Sequence, residues 1–88
     1  MKYQVSIHPH VRKLLTALDL ETKNRLVEGL RKLEYDPFAN DIKKLKGTRG
    51  RQDLYRLRIG DYRAIFAIED DMIYVLEIIT RGHGYKWL

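Results

Sequence analysis

From Lys2 to His8 polar and apolar residues alternate: Tyr3, Val5 and Ile7 fall on one side, Lys2, Gln4, Ser6 and His8 on the other. A period of two predicts a half-buried strand. The period then changes. Val11, Leu14, Leu15 and Leu18 recur at i, i+3, i+4 and i+7, the stripe of an amphipathic helix. Pro9 suits its first turn, where a missing N–H costs nothing. Asp19 predicts the cap of a second helix, with Glu21 near its positive end. Leu26, Leu30 and Leu33 form its stripe, and Gly29 reads as a mild propensity cost. Almost no linker separates the two, so they should form a helical hairpin. Asp36-Pro37 ends it, because a residue before proline avoids the helical region.

Phe38 to Arg51 shows no period and contains two glycines, which predicts a loop with room for a short strand near Ile42 to Leu45. Leu54 to Ile59 alternates again, Gly60-Asp61 reads as a hairpin turn, and Tyr62 to Ile68 continues beyond it. Asp70-Asp71 marks the next turn, and Met72 to Thr80 the last strand. The expected architecture is α+β: a strand, an antiparallel helical hairpin, then a three-stranded antiparallel meander, with the helices on one sheet face. At 88 residues the chain should form a single domain, 1–88.

The first hairpin fixes where its arginines go. A two-residue loop at Gly60-Asp61 pairs Ile59 with Tyr62, Arg58 with Arg63, Leu57 with Ala64 and Tyr55 with Phe66. Tyr55, Leu57, Ala64, Phe66 and Ile68 then share the core face, and Arg56, Arg58 and Arg63 the other. Like charges opposed across strands destabilise a sheet, so an anion or nearby acids should occupy that face. For the last strand, a two-residue Asp70-Asp71 loop would turn Glu77 into the core, which is costly. A slip by one residue, through a longer loop or a bulge, instead sends Tyr74, Leu76 and Ile78 inward. Val75, Glu77 and Ile79 then join the arginine face, and Arg81 extends its row.

Charge sharpens this picture. Lys43 to Arg63 holds eight basic residues against Asp53 and Asp61, a net of +6 that exceeds the +5 of the whole chain. Such a segment fits either a polyanionic partner or a solvated basic face. Lys43, Lys44, Lys46, Arg49 and Arg51 are the candidates for binding such a polyanion. Four guanidiniums at Arg56, Arg58, Arg63 and Arg81 would form a phosphate clamp, since each fork matches phosphate oxygens. Tyr85 beyond them could stack an unpaired base. His83 reads as a solvated loop residue or a proton-transfer group, and Trp87 as a tail anchor or a partner contact. His8 and His10 flank Pro9 as structural or solvent-facing residues. There is no cysteine, which excludes disulfides and thiolate zinc sites. No metal-ligand spacing or Gly-rich phosphate loop suggests a cofactor. No apolar run approaches a membrane span, and none follows Lys2 as a signal sequence would, so a cytoplasmic protein is expected.

The string LKGTRGRQDLYRLRIGDYRAIFAIEDDMIYVLEIITRGHGY resembles the RelE/ParE toxin superfamily, more closely its RelE branch. Asp36-Pro37, the KLKG run, the LYRLRIGDYR hairpin and the closing R-x-x-x-Y all fall in the family's order, across nearly the whole chain. The resemblance implies a toxin of a toxin–antitoxin system: a ribosome-dependent endoribonuclease that cuts mRNA and is neutralised by a RelB-like antitoxin. The family's basic strand pair is similar to Arg56 and Arg58, its hairpin arginine to Arg63, and its late arginine and tyrosine to Arg81 and Tyr85. These five are the candidate catalytic residues. The familiar RelE pair is lysine, whereas guanidinium, with a pKa above about 12, does not act as a base near neutrality. Two further readings stay open: a ParE-like protein that binds DNA gyrase, and a catalytically inactive relative.

Overall fold

The computed structural model describes residues 2–38, 42–45 and 53–80. Its elements are β1 (Gln4–Ile7), α1 (Pro9–Ala17), α2 (Leu20–Arg31), a 3-10 turn (Lys32–Glu34), β2 (Ile42–Lys44), β3 (Leu54–Ile59), β4 (Tyr62–Glu69) and β5 (Met72–Thr80). The strands form one sheet in the order β1-β5-β4-β3-β2. β1 runs parallel to β5, and every other neighbouring pair is antiparallel. The meander is therefore the centre of a five-stranded sheet, with β1 and the short β2 at its edges.

Local chemistry sets the helix ends. His8 Nδ1 accepts from the His10 backbone N at 3.2 Å, and Pro9 fills the first helical position. Asp19 Oδ2 accepts from Thr22 N at 3.1 Å. Hydrogen bonding from Thr22 holds the Asp19 carboxyl below the ordinary carboxylate value. Val11 and Leu15 of α1, Leu26 and Leu30 of α2, and Leu33 pack with Leu57, Ile59, Ala64, Phe66, Ile73, Val75 and Ile78 in one core. Both helices thus cover a single sheet face, and Phe66 at its centre is fully buried.

The first hairpin has the expected register, from Tyr55↔Phe66 through Arg58↔Arg63 to Ile59↔Tyr62. Gly60 carries the turn's left-handed φ of 58°, a conformation that costs glycine little. β5 differs from expectation. It starts in the two-residue-loop register, Glu69↔Met72 through Phe66↔Val75, then shifts at a bulge so that Ile65 opposes Glu77, Ala64 opposes Ile78 and Arg63 opposes Ile79. Ile73 and Val75 enter the core before the bulge, and Ile78 after it. Ile78 points inward, and Glu77 and Ile79 lie on the arginine face, as expected. Tyr74 and Leu76 do not face the core and Val75 does, because the slip occurs in mid-strand and not at the turn. Either register kept throughout would misplace one half: the first would bury Glu77, the second would bury Tyr74 and expose Val75. A single extra residue, Leu76, reconciles the two.

Gly29 is more than a propensity cost. A Cβ built there would sit 2.6 Å from Ile59 Cδ1 and 2.8 Å from Ile59 Cγ1, so the missing side chain lets α2 approach β3. Gly29→Ala should therefore lower stability by about 1 kcal/mol, because overpacking of roughly 1–3 kcal/mol outweighs the gain of up to about 1 kcal/mol in helix propensity. The loss should be smaller in an Ile59→Val background, which lacks Cδ1. A double-mutant cycle in urea measures both, and additive effects would place the cost elsewhere.

Candidate nucleic-acid interface

Strand parity builds this face. Leu57 and Ala64 point to the helices, so their neighbours Arg56, Arg58, Arg63 and Ile65 point away. Ile42 pairs with Leu57 on the core side, which puts Lys43 opposite Arg56 on the outer one. The outer face then reads as two rows across the strands. Arg58, Arg63 and Ile79 form one; Lys43, Arg56, Ile65 and Glu77 form the other. Leu54, Ile65 and Ala67 make a small apolar cluster here, packed by Leu45 and Leu76. The arginines therefore stand over a buried apolar floor.

The like charges at Arg58 and Arg63 are separated by conformation. Arg63 Nη1 donates to the Gly60 carbonyl at 3.2 Å and to the Tyr62 carbonyl at 3.0 Å. Its guanidinium leans on the turn's negative backbone ends, and no described acid pairs with it. Arg58 is exposed. Glu77, on the same face, places Oε1 3.3 Å from His10 Nε2 and accepts from the Ile78 backbone N. Asp53 Oδ2 lies 3.0 Å from Lys44 Nζ. The hydrogen bond to Asp53 raises the Lys44 ammonium above its ordinary value.

The candidate residues thus separate by position. Arg56, Arg58, Arg63 and Lys43 come together on the outer face. Lys44 has the opposite parity, across from Tyr55, and is tied to Asp53. Lys46, Arg49, Arg51, Arg81, His83, Tyr85 and Trp87 lie outside the described residues. The His10–Glu77 contact had no signal in the sequence, since it joins a helix start to a strand 67 positions later. Among the described residues no group of three or more His, Cys, Asp or Glu is disposed to hold a metal ion.

A face with this arrangement can grip phosphates and offset charge on phosphoryl oxygens. Comparison with known proteins gives it a context. The sequence model of the family described as the ParE toxin of the type II toxin–antitoxin system parDE matches residues 5–85. The RelE1 protein of Methanocaldococcus jannaschii is 35% identical over 91 residues, 98% of either chain. The fold is similar to RelE in the archaeal RelE–RelB complex of Pyrococcus horikoshii, with a TM-score of 0.80, 40% identity, and coverage of 96% of this chain and 100% of that one. It is also similar to a chain of the Mycobacterium tuberculosis toxin–antitoxin complex RelBE2, with a TM-score of 0.77, 23% identity, and coverage of 92% and 100%. The last likeness concerns the fold alone. With its sheet, its two helices and this matched sequence, the chain belongs to the RelE/ParE superfamily of toxins and is a RelE-like toxin of a toxin–antitoxin system.

Proposed function

We propose that this toxin is a ribosome-dependent endoribonuclease that cleaves mRNA and so stops translation, acting as one 88-residue domain. The observation that carries this reading is the Arg58–Arg63 pair, opposed across β3 and β4 on the sheet face away from α1 and α2. The reaction is attack of a ribose 2′-hydroxyl on the adjacent phosphate. Guanidinium forks from Arg56, Arg58, Arg63 and Arg81 hold that phosphate and offset charge as it grows on the phosphoryl oxygens. Tyr85 stacks on a neighbouring base. Lys43, Lys44, Lys46, Arg49 and Arg51 steer the domain onto ribosomal RNA. The site works in the cytoplasm, where ribosomes are, and no described helix is long and apolar enough to cross a membrane.

The partner is a RelB-like antitoxin. Relatives of this fold have been seen in complex with RelB, and a segment rich in acids would complement the arginine face. The family model's ParE description favours a second reading, in which the protein binds DNA gyrase and cuts nothing. Primer extension on a translated mRNA after induction separates the two. Codon-phased cleavage is expected; intact mRNA with damaged DNA would install the gyrase reading.

Arg58→Ala and Arg63→Lys should each lower single-turnover cleavage by about 10²–10³, the usual cost of one lost transition-state donor. Circular dichroism of Arg58→Ala should match the parent, because that side chain is exposed.

Binding to single-stranded RNA should weaken steeply with salt. Four phosphate contacts imply a log–log slope of roughly −3, and Arg58→Ala should flatten it by about 0.7. An unchanged slope would remove Arg58 from the interface.

Tyr85→Phe should retain most activity, because the ring face survives, whereas Tyr85→Ala should lose roughly ten- to hundredfold, the equivalent of about 1–3 kcal/mol of stacking. Equal damage from both would move the role from the ring to the hydroxyl.

A further inference from the structure

Arginine cannot accept the 2′-hydroxyl proton, so an arginine row leaves proton transfer to another group. One stands at the edge of the same face. β1 leaves the sheet after Ile7, where His8 N still donates to the Val75 carbonyl at 3.0 Å. Beyond that point β5 lies against the start of α1. There His10 Nε2 meets Glu77 Oε1 at 3.3 Å. His8, His10, Leu76 and Glu77 line an open pocket of about 370 Å³.

This pocket adjoins the arginine face. Leu76, one of its walls, packs against the Leu54, Ile65 and Ala67 cluster beneath the arginines. Glu77 opposes Ile65, which in turn opposes Arg56 and lies two positions along β4 from Arg63. The two histidines differ in availability. The rings sit 4.2 Å apart at 54°, but His8 Nδ1 is committed to the helix cap. His10 uses only Nε2 among described partners, toward a carboxylate that can only accept when ionised. Neutral His10 therefore carries its proton on Nε2 and presents a lone pair on Nδ1.

We infer that His10, oriented by Glu77, is the general base of the cleavage reaction. Nδ1 takes the 2′-hydroxyl proton as the 2′ oxygen bonds to phosphorus and the bond from phosphorus to the 5′ oxygen breaks. The leaving 5′ oxygen takes a proton from water, and the hydroxide so formed takes the proton from the imidazolium. The products are a 2′,3′-cyclic phosphate and a 5′-hydroxyl. Glu77 is a positioning residue: it fixes the tautomer and stabilises the imidazolium.

The inference rests on the ribonuclease reading, and one experiment tests the two separately. Single-turnover cleavage of ribosome-bound mRNA is measured for the parent, His10→Ala, His10→Gln and Glu77→Gln, each checked by circular dichroism and RNA binding. His10→Ala should lose about 10²–10⁴ in rate, and added imidazole should restore part of it, more so for more basic substituted imidazoles. His10→Gln, whose amide can still donate to Glu77 but cannot accept a proton near neutrality, should be equally slow. Glu77→Gln should fall between these and the parent, with RNA affinity unchanged throughout. Parent cleavage with an indifferent His10→Ala, or a slow His10→Ala that imidazole does not rescue, overturns this inference alone and makes the pair a tether between α1 and β5. A parent that leaves mRNA intact overturns the ribonuclease reading and this one with it.

Discussion

The bulge at Leu76 is the constraint on which the fold and its arginine face both depend. β5 lies between β1 and β4, so it must pair on both sides while feeding side chains to the core. Its inward residues change parity along the strand: Ile73 and Val75 before the bulge, Ile78 after it. No unbroken strand can do this, because alternate residues point to opposite faces. The extra residue keeps all three aliphatic side chains buried and keeps the Glu77 carboxylate out of the core, where it would lack a partner. It also delivers Glu77 to the outer face beside Ile65, and Leu76 to the apolar cluster beneath the arginines. A feature required for packing thus furnishes the edge of the site.

The same alternation segregates two kinds of work. Every helix residue of the main core packs on one side of the sheet, so α1 and α2 do not cover the guanidiniums of β3 and β4 on the other. Opposed like charges cost stability in a strand pair. Here the cost is eased from within the hairpin, since Arg63 rests on the carbonyls of Gly60 and Tyr62. Those carbonyls are placed by the left-handed φ at Gly60. The turn therefore both closes the hairpin and positions a guanidinium. Charge held in place before an anion arrives needs little reorganisation when it binds, which is the condition for strong electrostatic stabilisation.

What could be read from the sequence followed the range of the interaction. The strand and helix periods, the Asp19 cap and the register of the first hairpin are local. They place Arg56, Arg58 and Arg63 on one face from strand alternation alone, as the register of β3 and β4 has them. The mid-strand slip in β5 was legible only as a conflict: Glu77 argued against one register, and nothing nearby said where the shift would fall. Gly29 looked like a weak helix position because its reason, the approach of Ile59, lies 30 residues away. Lys44 and Asp53 likewise meet although they stand nine positions apart. The His10–Glu77 contact was the least legible, since it needs β1 to end beside Val75 and the bulge to turn Glu77 outward.

This division by range bears on the chemistry. Residues that stabilise charge can be supplied by a strand's own alternation, because any anion that docks meets every other side chain. A proton-transfer group must meet one particular hydroxyl, and so needs a position fixed from several directions. In a row of lysines one group can serve both ends, since an ammonium gives up its proton far more readily than a guanidinium. In the proposed cleavage reaction, arginine at both Arg56 and Arg58 would separate the two tasks. The start of α1 is well suited to the second. His8 fixes the helix end through its cap, the cap fixes His10, and Glu77 fixes the imidazole. Each of these constraints comes from a different part of the chain, and all converge at the one side of β5 that β1 leaves open.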